Sequence, residues 1–370
     1  MDFTLTEEQE ELRGLARQIL TDRADLGSLR AFDESTDWFD RDTYAEFAKS
    51  NLLGAALPES VGGLGFSFLE LCLILEEQGR AVAPMPIVHA IVTCAGAINR
   101  LGTDAQRADL SRLLAGETVF TAALSELGTP IDEPQTIATP QGNEWRLEGK
   151  KVCVPMAHLA ERVLVPARVG DDIGLFLVDP NQPAVSLERQ EVTNHEPQFV
   201  MHLDGALVGD DQRLGDLAGG HAALRTIVAE TTVALCAIAT GACQEALRIT
   251  AQYTTERKQF DRAIGTFQAV GQRLADAYID TQAIELTMLQ AATKLAAGED
   301  AGMEVATAKF WASEGGSRVV HAALHVHGGI CIDLDYPIHR YFQWVKQLEF
   351  TLGSESEQLR DLGRLIAAAP

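Results

Sequence analysis

One pattern in this sequence leaves little choice of structure. Phe267, Val270, Leu274, Ala277, Thr281, Ile284, Met288, Ala291 and Leu295 follow one another in alternating steps of three and four, which keeps them on one face of an α-helix for about eight turns. Leu224, Val228, Thr231, Leu235, Ile238 and Ala242 repeat the spacing just upstream. Stripes this long are buried only by packing helix on helix, so the C-terminal part is expected to be a bundle of long antiparallel helices. A seam of that length also suits an assembly of several subunits.

The pattern changes upstream of the bundle. Thr118–Leu124, Trp145–Leu147, Val152–Val154, Arg162–Val165, Leu175–Val178 and Phe199–Leu203 are short apolar runs broken by Gly, Pro, Asp and Asn, the signature of an antiparallel β-domain. The N-terminal third is helical. Thr6-Glu7-Glu8-Gln9 is a capping-box pattern, a strongly apolar helix ends near Arg80, and further helical stretches are expected around 87–100 and 103–115. The expected organisation is a helical domain over 1–116, a middle β-domain over 117–215 and a helical bundle over 216–370. The fold class is mainly α with a central β-domain.

Composition narrows the function. The chain has 370 residues, is 46% hydrophobic and 22% charged, which excludes a disordered or low-complexity chain. It carries 53 acids against 30 bases, a formal charge of −23. Its lysines are only 49, 150, 151, 258, 294, 309 and 346. Binding to nucleic acid or to an anionic membrane needs basic surface, so neither is expected. A polyanionic ligand would have to be held by a few placed arginines and backbone N–H groups. The acidic N-terminus lacks the basic and apolar regions of a signal peptide, no uninterrupted apolar stretch approaches the length of a membrane span, and the cysteines lack paired or metal-type spacing. The expected location is the cytoplasm, with reduced and mostly buried thiols. No G-x-S-x-G, P-loop or strand-linked G-x-G-x-x-G is present.

Three motifs carry a family resemblance. Arg257-Lys258-Gln259-Phe260-Asp261-Arg262-Ala263-Ile264-Gly265-Thr266-Phe267-Gln268 resembles the R-x-x-F-G-x-x-I-x-x-F-Q signature of acyl-CoA dehydrogenases. His325-Val326-His327-Gly328-Gly329-Ile330-Cys331 is similar to their Q-x-x-G-G-x-G, and Pro58-Glu59 with Gly62-Gly63-Leu64-Gly65 to their N-terminal PE-x-x-GG-x-G. Order and spacing hold across essentially the whole chain. On the residues alone, Arg257 reads as well as a surface ion pair, and Gly328-Gly329 as a helix C-cap. The resemblance implies instead that Arg257, Phe260, Gln268, His325, Gly328 and Gly329 contact the FAD of a neighbouring subunit. A guanidinium forks onto a pyrophosphate, and glycines let backbone approach it closely. It also implies a helical, β-barrel or sandwich, then four-helix-bundle architecture. His321 and His325 stand i, i+4, but with no HExxH and no carboxylate nearby no metal site is expected.

The departures from the family pattern are as telling. The chemistry needs a placed carboxylate to take the substrate α-proton. In most members it is the Glu of a Y-E-G-T stretch, which here reads Thr351-Leu352-Gly353-Ser354. The family's second base location, ten residues before the glycine that corresponds to Gly241, is Thr231. Glu230 is adjacent but points elsewhere around the helix. In the β-domain, Ser125-Glu126 keeps a T/S-E pair that meets the flavin ring. The G-S-D element has become Thr129-Pro130-Ile131-Asp132, and G-x-K-x-W-I-T reads Gly149-Lys150-Lys151-Val152-Cys153-Val154-Pro155. Cys153 has no indole face and Pro155 neither hydroxyl nor N–H. Lys150-Lys151 reads as a solvated strand end, and Cys331 as a buried small residue.

The surviving half of the site is the half that serves a neighbour. This resembles the base-lacking subunit of the heteromeric acyl-CoA dehydrogenases that act on steroid side-chain CoA thioesters in actinobacterial cholesterol catabolism. The resemblance implies an α2β2 assembly with a homologous chain that carries the catalytic Glu. It further implies an acyl-CoA substrate dehydrogenated in β-oxidation and an acceptor of the electron-transfer flavoprotein type. A self-sufficient enzyme using Glu230 and a structural or regulatory pseudoenzyme are the alternatives.

Overall fold

The computed structural model describes residues 3–23 and 26–368; the expected domain ends at Met1 and Pro370 lie outside the described residues. The chain forms two compact units, one from Ala31–Ser67 with Pro84–Thr231, the other from Met1–Arg30, Phe68–Ala83 and Thr232–Pro370. From the N-terminus come α1 (Glu7–Arg23), α2 (Leu26–Asp33), α3 (Arg41–Lys49) and α4 (Phe68–Ala81). The capping box forms at the start of α1: the Thr6 N–H donates to Gln9 Oε1 at 2.9 Å, and the Gln9 N–H to Thr6 Oγ1 at 3.3 Å. π-helical turns over Val88–Ala95 then run into α5 (Gly96–Leu101). The stretch read as one helix over 103–115 is two, α6 (Asp104–Ala108) and α7 (Leu110–Leu114).

Eight strands follow: β1 (Phe120–Ala122), β2 (Ile137–Gln141), β3 (Glu144–Pro155), β4 (Arg162–Val169), β5 (Asp172–Val178), β6 (Val185–Gln190), β7 (Gln198–Gly209) and β8 (Arg213–Leu214). They make one sheet in the order β6-β7-β3-β2-β4-β5-β8, with β1 beside β4. The expectation of a purely antiparallel domain is corrected here. β1 pairs with β4 in parallel, and β2 meets β4 in parallel at Ile137 and Arg168. The long β2–β3 excursion between β1 and β4 supplies the crossover that parallel pairing requires. The runs Trp145–Leu147 and Val152–Val154 are two ends of the single strand β3, whose register against β7 slips at Leu147/Glu148 and again at Lys151/Val154. Leu147, Val163, Val165, Phe176 and Met201 are fully buried and form the centre of this unit's core.

The bundle comprises α8 (Gly220–Glu256), a hairpin of β9 (Lys258–Gln259) and β10 (Arg262–Ala263), α9 (Gln268–Ala296), α10 (Gly302–Phe310), π-helical turns over Trp311–Gly315, then α11 (Gly316–His327), α12 (Ile338–Phe350) and α13 (Glu355–Ala368). α8 is buried on every side from Thr231 to Cys243. No uninterrupted apolar run of span length occurs, as expected, yet the stretch Leu217–Glu256 is long and apolar enough on average to cross a membrane, its best 18-residue window having mean hydropathy 1.6. That window is 78% buried inside the protein, as expected of a core helix. The α9 stripe is buried from Ala277 through Ala291, whereas Leu274 and Val270, one and two turns earlier, are half-exposed.

Candidate active site

The two family base positions hold no carboxylate, and each is built into its own surroundings. Leu352 follows α12 with φ +58°, and its carbonyl accepts a hydrogen bond from Gln358 Nε2 at 3.4 Å. The end of α12 is fixed by Lys309, a fully buried side chain whose Nζ donates to the carbonyls of Leu348 at 2.6 Å and Glu349 at 3.1 Å. Burial depresses Lys309 to about 8. Thr231 is buried; its hydroxyl donates to the Ile227 carbonyl at 2.7 Å and lies 2.9 Å from the Thr93 hydroxyl. Thr93 sits within the π-helical turns, irregular backbone of a kind that recurs at functional sites. Glu230 is forked by Arg100 at 2.8 and 2.5 Å. Both oxygens of this carboxylate are thus engaged by one guanidinium, which leaves neither free to face a substrate carbon.

In the β-domain the surviving pair serves the fold. Glu126 accepts from Lys151 Nζ at 2.6 Å and from the N–H groups of Gln135 at 2.7 Å and Thr136 at 3.0 Å. Lys151, far from being a solvated strand end, is fully buried and donates also to the Pro166 carbonyl at 2.7 Å. Burial depresses its ammonium to about 8 against the pull of Glu126. Burial pushes Glu126 up, but Lys151 and Thr136 outweigh it and leave the carboxyl below its usual range. Cys153 stands exposed at the second register slip of β3, with φ +52°, and its N–H donates to Gln190 Oε1 at 2.9 Å. Burial and the nearby Glu196 push its thiol up, so it is no activated nucleophile. The Pro155 carbonyl accepts from Thr121 Oγ1 at 2.7 Å. No aromatic plane and no hydroxyl stand at positions 153 and 155, so this cradle does not fit a flavin ring.

The other half has the opposite character. Arg257 follows α8 directly in an exposed position; its N–H donates to the Tyr253 carbonyl and its own carbonyl accepts from the Ile264 N–H, both at 2.9 Å. The hairpin that follows turns on Phe260 (φ +53°) and Asp261 (φ +63°) between the paired Gln259 and Arg262. A two-residue turn with both φ values positive favours Asn-Gly, and Asp261 stands where the family has glycine. Phe260 is 85% exposed, its ring edge-on to Phe267 at 6.2 Å, and Arg262 lies 4.0 Å over the Phe267 ring. Gln268 opens α9 and is exposed. Among the described residues, no carboxylate lies within ion-pair distance of Arg257, Lys258, Arg262 or Arg273, although most arginines of this chain are paired. The ion-pair reading of Arg257 therefore drops out.

Gly328 does cap α11, with φ +63°. Gly329 has no such conformational need, and a Cβ on either glycine would meet nothing within 4 Å. The Gly328 N–H donates to the Leu324 carbonyl, and the open space beside both glycines fits a pyrophosphate or ribose. His325 is exposed one turn before the glycines. Buried His327, not singled out by its spacing, bonds the Ala323 carbonyl through Nδ1 at 2.8 Å and the Tyr336 hydroxyl through Nε2 at 3.0 Å. His321 Nδ1 meets the Ser317 carbonyl at 2.7 Å. No group of three His, Cys, Asp or Glu side chains is placed to hold a metal among the described residues. Cys331 is half-exposed rather than buried, because it lies in the surface loop after α11.

Comparison with known proteins agrees with this geometry. The acyl-CoA dehydrogenase N-terminal domain profile matches residues 6–117, and the C-terminal domain profile residues 218–367. The chain is 37% identical to the acyl-CoA dehydrogenase FadE27 of Mycobacterium tuberculosis, with 100% of each covered. Among solved structures, a chain of the Tcur3481-Tcur3483 steroid ACAD G363A variant superposes with a TM-score of 0.93 at 44% identity, covering 98% of this chain and 99% of that one. A chain of the ChsE4-ChsE5 complex from Mycobacterium tuberculosis superposes with a TM-score of 0.94 at 37% identity, with 100% of each covered. Motifs, fold and relatives converge, and the chain belongs to the acyl-CoA dehydrogenase family.

Proposed function

We propose that this chain is the base-lacking subunit of a heteromeric, FAD-dependent acyl-CoA dehydrogenase that acts on a steroid side-chain CoA thioester in the cytoplasm. The observation that carries the reading is an asymmetry. Leu352 and Thr231 stand where a base belongs, while the Arg257 side chain and the Gly328-Gly329 turn remain exposed. The relatives point the same way, since one solved neighbour is titled a steroid ACAD and both are named as pairs of chains.

In this reading Arg257, Phe260, Gln268, His325, Gly328 and Gly329 hold the dinucleotide of an FAD whose ring is housed by a homologous partner in an α2β2 assembly. The FAD, when bound, supplies the acceptor for the substrate's β-hydride. The partner contributes the Glu that takes the α-proton, and electrons leave to an acceptor of the electron-transfer flavoprotein type. Arg257 offers a fork for one pyrophosphate oxygen pair; the glycines let the dinucleotide approach the backbone without a Cβ in the way. The Arg100 fork on Glu230 counts against a self-sufficient enzyme.

The test is Arg257→Ala in the complex co-expressed with its partner. The expected result is an assembled complex that has lost most of its FAD. Unchanged FAD content would overturn the reading and favour a pseudoenzyme without flavin contact.

A further inference from the structure

The two turns assigned to the dinucleotide are separated by about 70 residues of sequence yet stand on one set of rings. Tyr253 lies one turn before Arg257, and its carbonyl accepts the Arg257 N–H. His327 is the last residue of α11, immediately before Gly328. The His327 ring is stacked on Tyr253 with centroids 4.4 Å apart and planes 26° from parallel. Tyr336 closes the group, 5.2 Å from His327 and 6.3 Å edge-on from Tyr253.

The hydrogen bonds give this cluster a direction. A carbonyl only accepts, so His327 Nδ1 carries a proton and donates to Ala323. In the neutral ring Nε2 is then an acceptor, and the Tyr336 hydroxyl donates to it at 3.0 Å. Burial pulls His327 below its usual range, which favours that neutral form. The loop from Gly328 to Asp335 thus leaves the fold at His327 and returns at the residue that bonds His327. Its neck is closed, and Gly328, Gly329, Ile332 and Leu334 are exposed on it. Nothing about catalysis requires a buried histidine 4% exposed at the base of a surface loop. Fixing the glycine turn relative to the arginine turn does.

We propose that His327, clamped between Tyr253 and Tyr336, is a positioning residue that sets the spacing between Arg257 and Gly328-Gly329, and so the grip on the flavin dinucleotide. This rests on the flavin role proposed above for those turns. Tyr336→Phe removes one half-exposed oxygen and keeps the ring; His327→Phe keeps the stack and removes both hydrogen bonds. Each is made in the co-expressed complex, stripped of flavin and titrated with FAD, and its Tm is measured with and without FAD. The loss of one hydrogen bond predicts a Kd raised by about three- to tenfold for Tyr336→Phe, and a larger rise for His327→Phe. The Tm gained on adding FAD should shrink, with the flavin-free Tm of Tyr336→Phe near that of the unaltered complex. A brace that serves only the fold would lower both Tm values equally and leave Kd unchanged, which would overturn the proposal. Arg257→Ala separates the two claims. If it weakens FAD binding while the ring variants do not, only the brace fails; if it too binds FAD normally, both fail.

Discussion

Lys151 shows how a single residue departs from its apparent type. Beside exposed Lys150 it looks like solvated surface, yet it is fully buried with its ammonium 2.6 Å from Glu126. The pair closes the loop from 127 to 135 over β3 through the Gln135 and Thr136 N–H groups. Removing one partner strands a charge in low dielectric, a loss of about 3–5 kcal/mol. Lys151→Met should therefore lower the urea midpoint of the complex sharply, and adding Glu126→Gln should recover much of it. A Lys151→Met variant that unfolds at the unaltered midpoint would contradict this role. Leu352 is a different departure. The left-handed backbone costs a residue with a Cβ roughly 1–2 kcal/mol, so the loop keeps its shape while its side chain has lost its chemistry. That substitution is legible in the sequence only beside the family motif.

At the scale of elements, α4 and α8 touch backbone to backbone. A Cβ on Gly79 would fall inside contact distance of the Ile238 carbonyl, and one on Gly241 inside that of the Glu76 carbonyl. Neither neighbour is a side-chain end that can swing away. Gly241→Ala must push the helices apart, and overpacking of this kind costs about 1–3 kcal/mol or more. The expected outcome is a Tm several degrees lower or failure to assemble; an unchanged Tm would show that the helices separate freely. Charge gathers where α1 meets α4: Arg13 of α1 and Arg80 of α4 itself reach Glu76 at 3.0 and 3.2 Å, and Arg17 of α1 reaches Glu77 at 2.7 Å.

The long helices and the capping box of α1 were legible, because their signals are periodic and local. β2 and β6 were not. β6 is an edge strand whose residues are exposed or half-exposed throughout, so it lacks the apolar alternation that marks a strand. The burial of Lys151 and the ring cluster at His327 depend on partners 25 and 74 residues away, Glu126 and Tyr253. Motif spacing found Arg257 and the two glycines, whose chemistry is carried by the residues themselves. It could not find Arg100, because what matters there is a contact with Glu230.

For the whole molecule, a charge of −23 turns the few unpaired bases into a signal. The hairpin after α8 concentrates Arg257, Lys258 and Arg262, with Arg273 in the second turn of α9, and among the described residues none of the four meets a carboxylate. In the proposed function these side chains serve an anion, the pyrophosphate of the flavin. Under the proposed function the β-domain cradle, with Cys153, Pro155 and Glu126 engaged by Lys151, is expected to hold no second flavin. The account therefore fixes a number. In the complex purified with its partner, absorbance of released FAD against the amount of each chain should give one FAD per pair of unlike chains. Two FAD per pair would mean that this chain houses its own flavin, and would contradict the account.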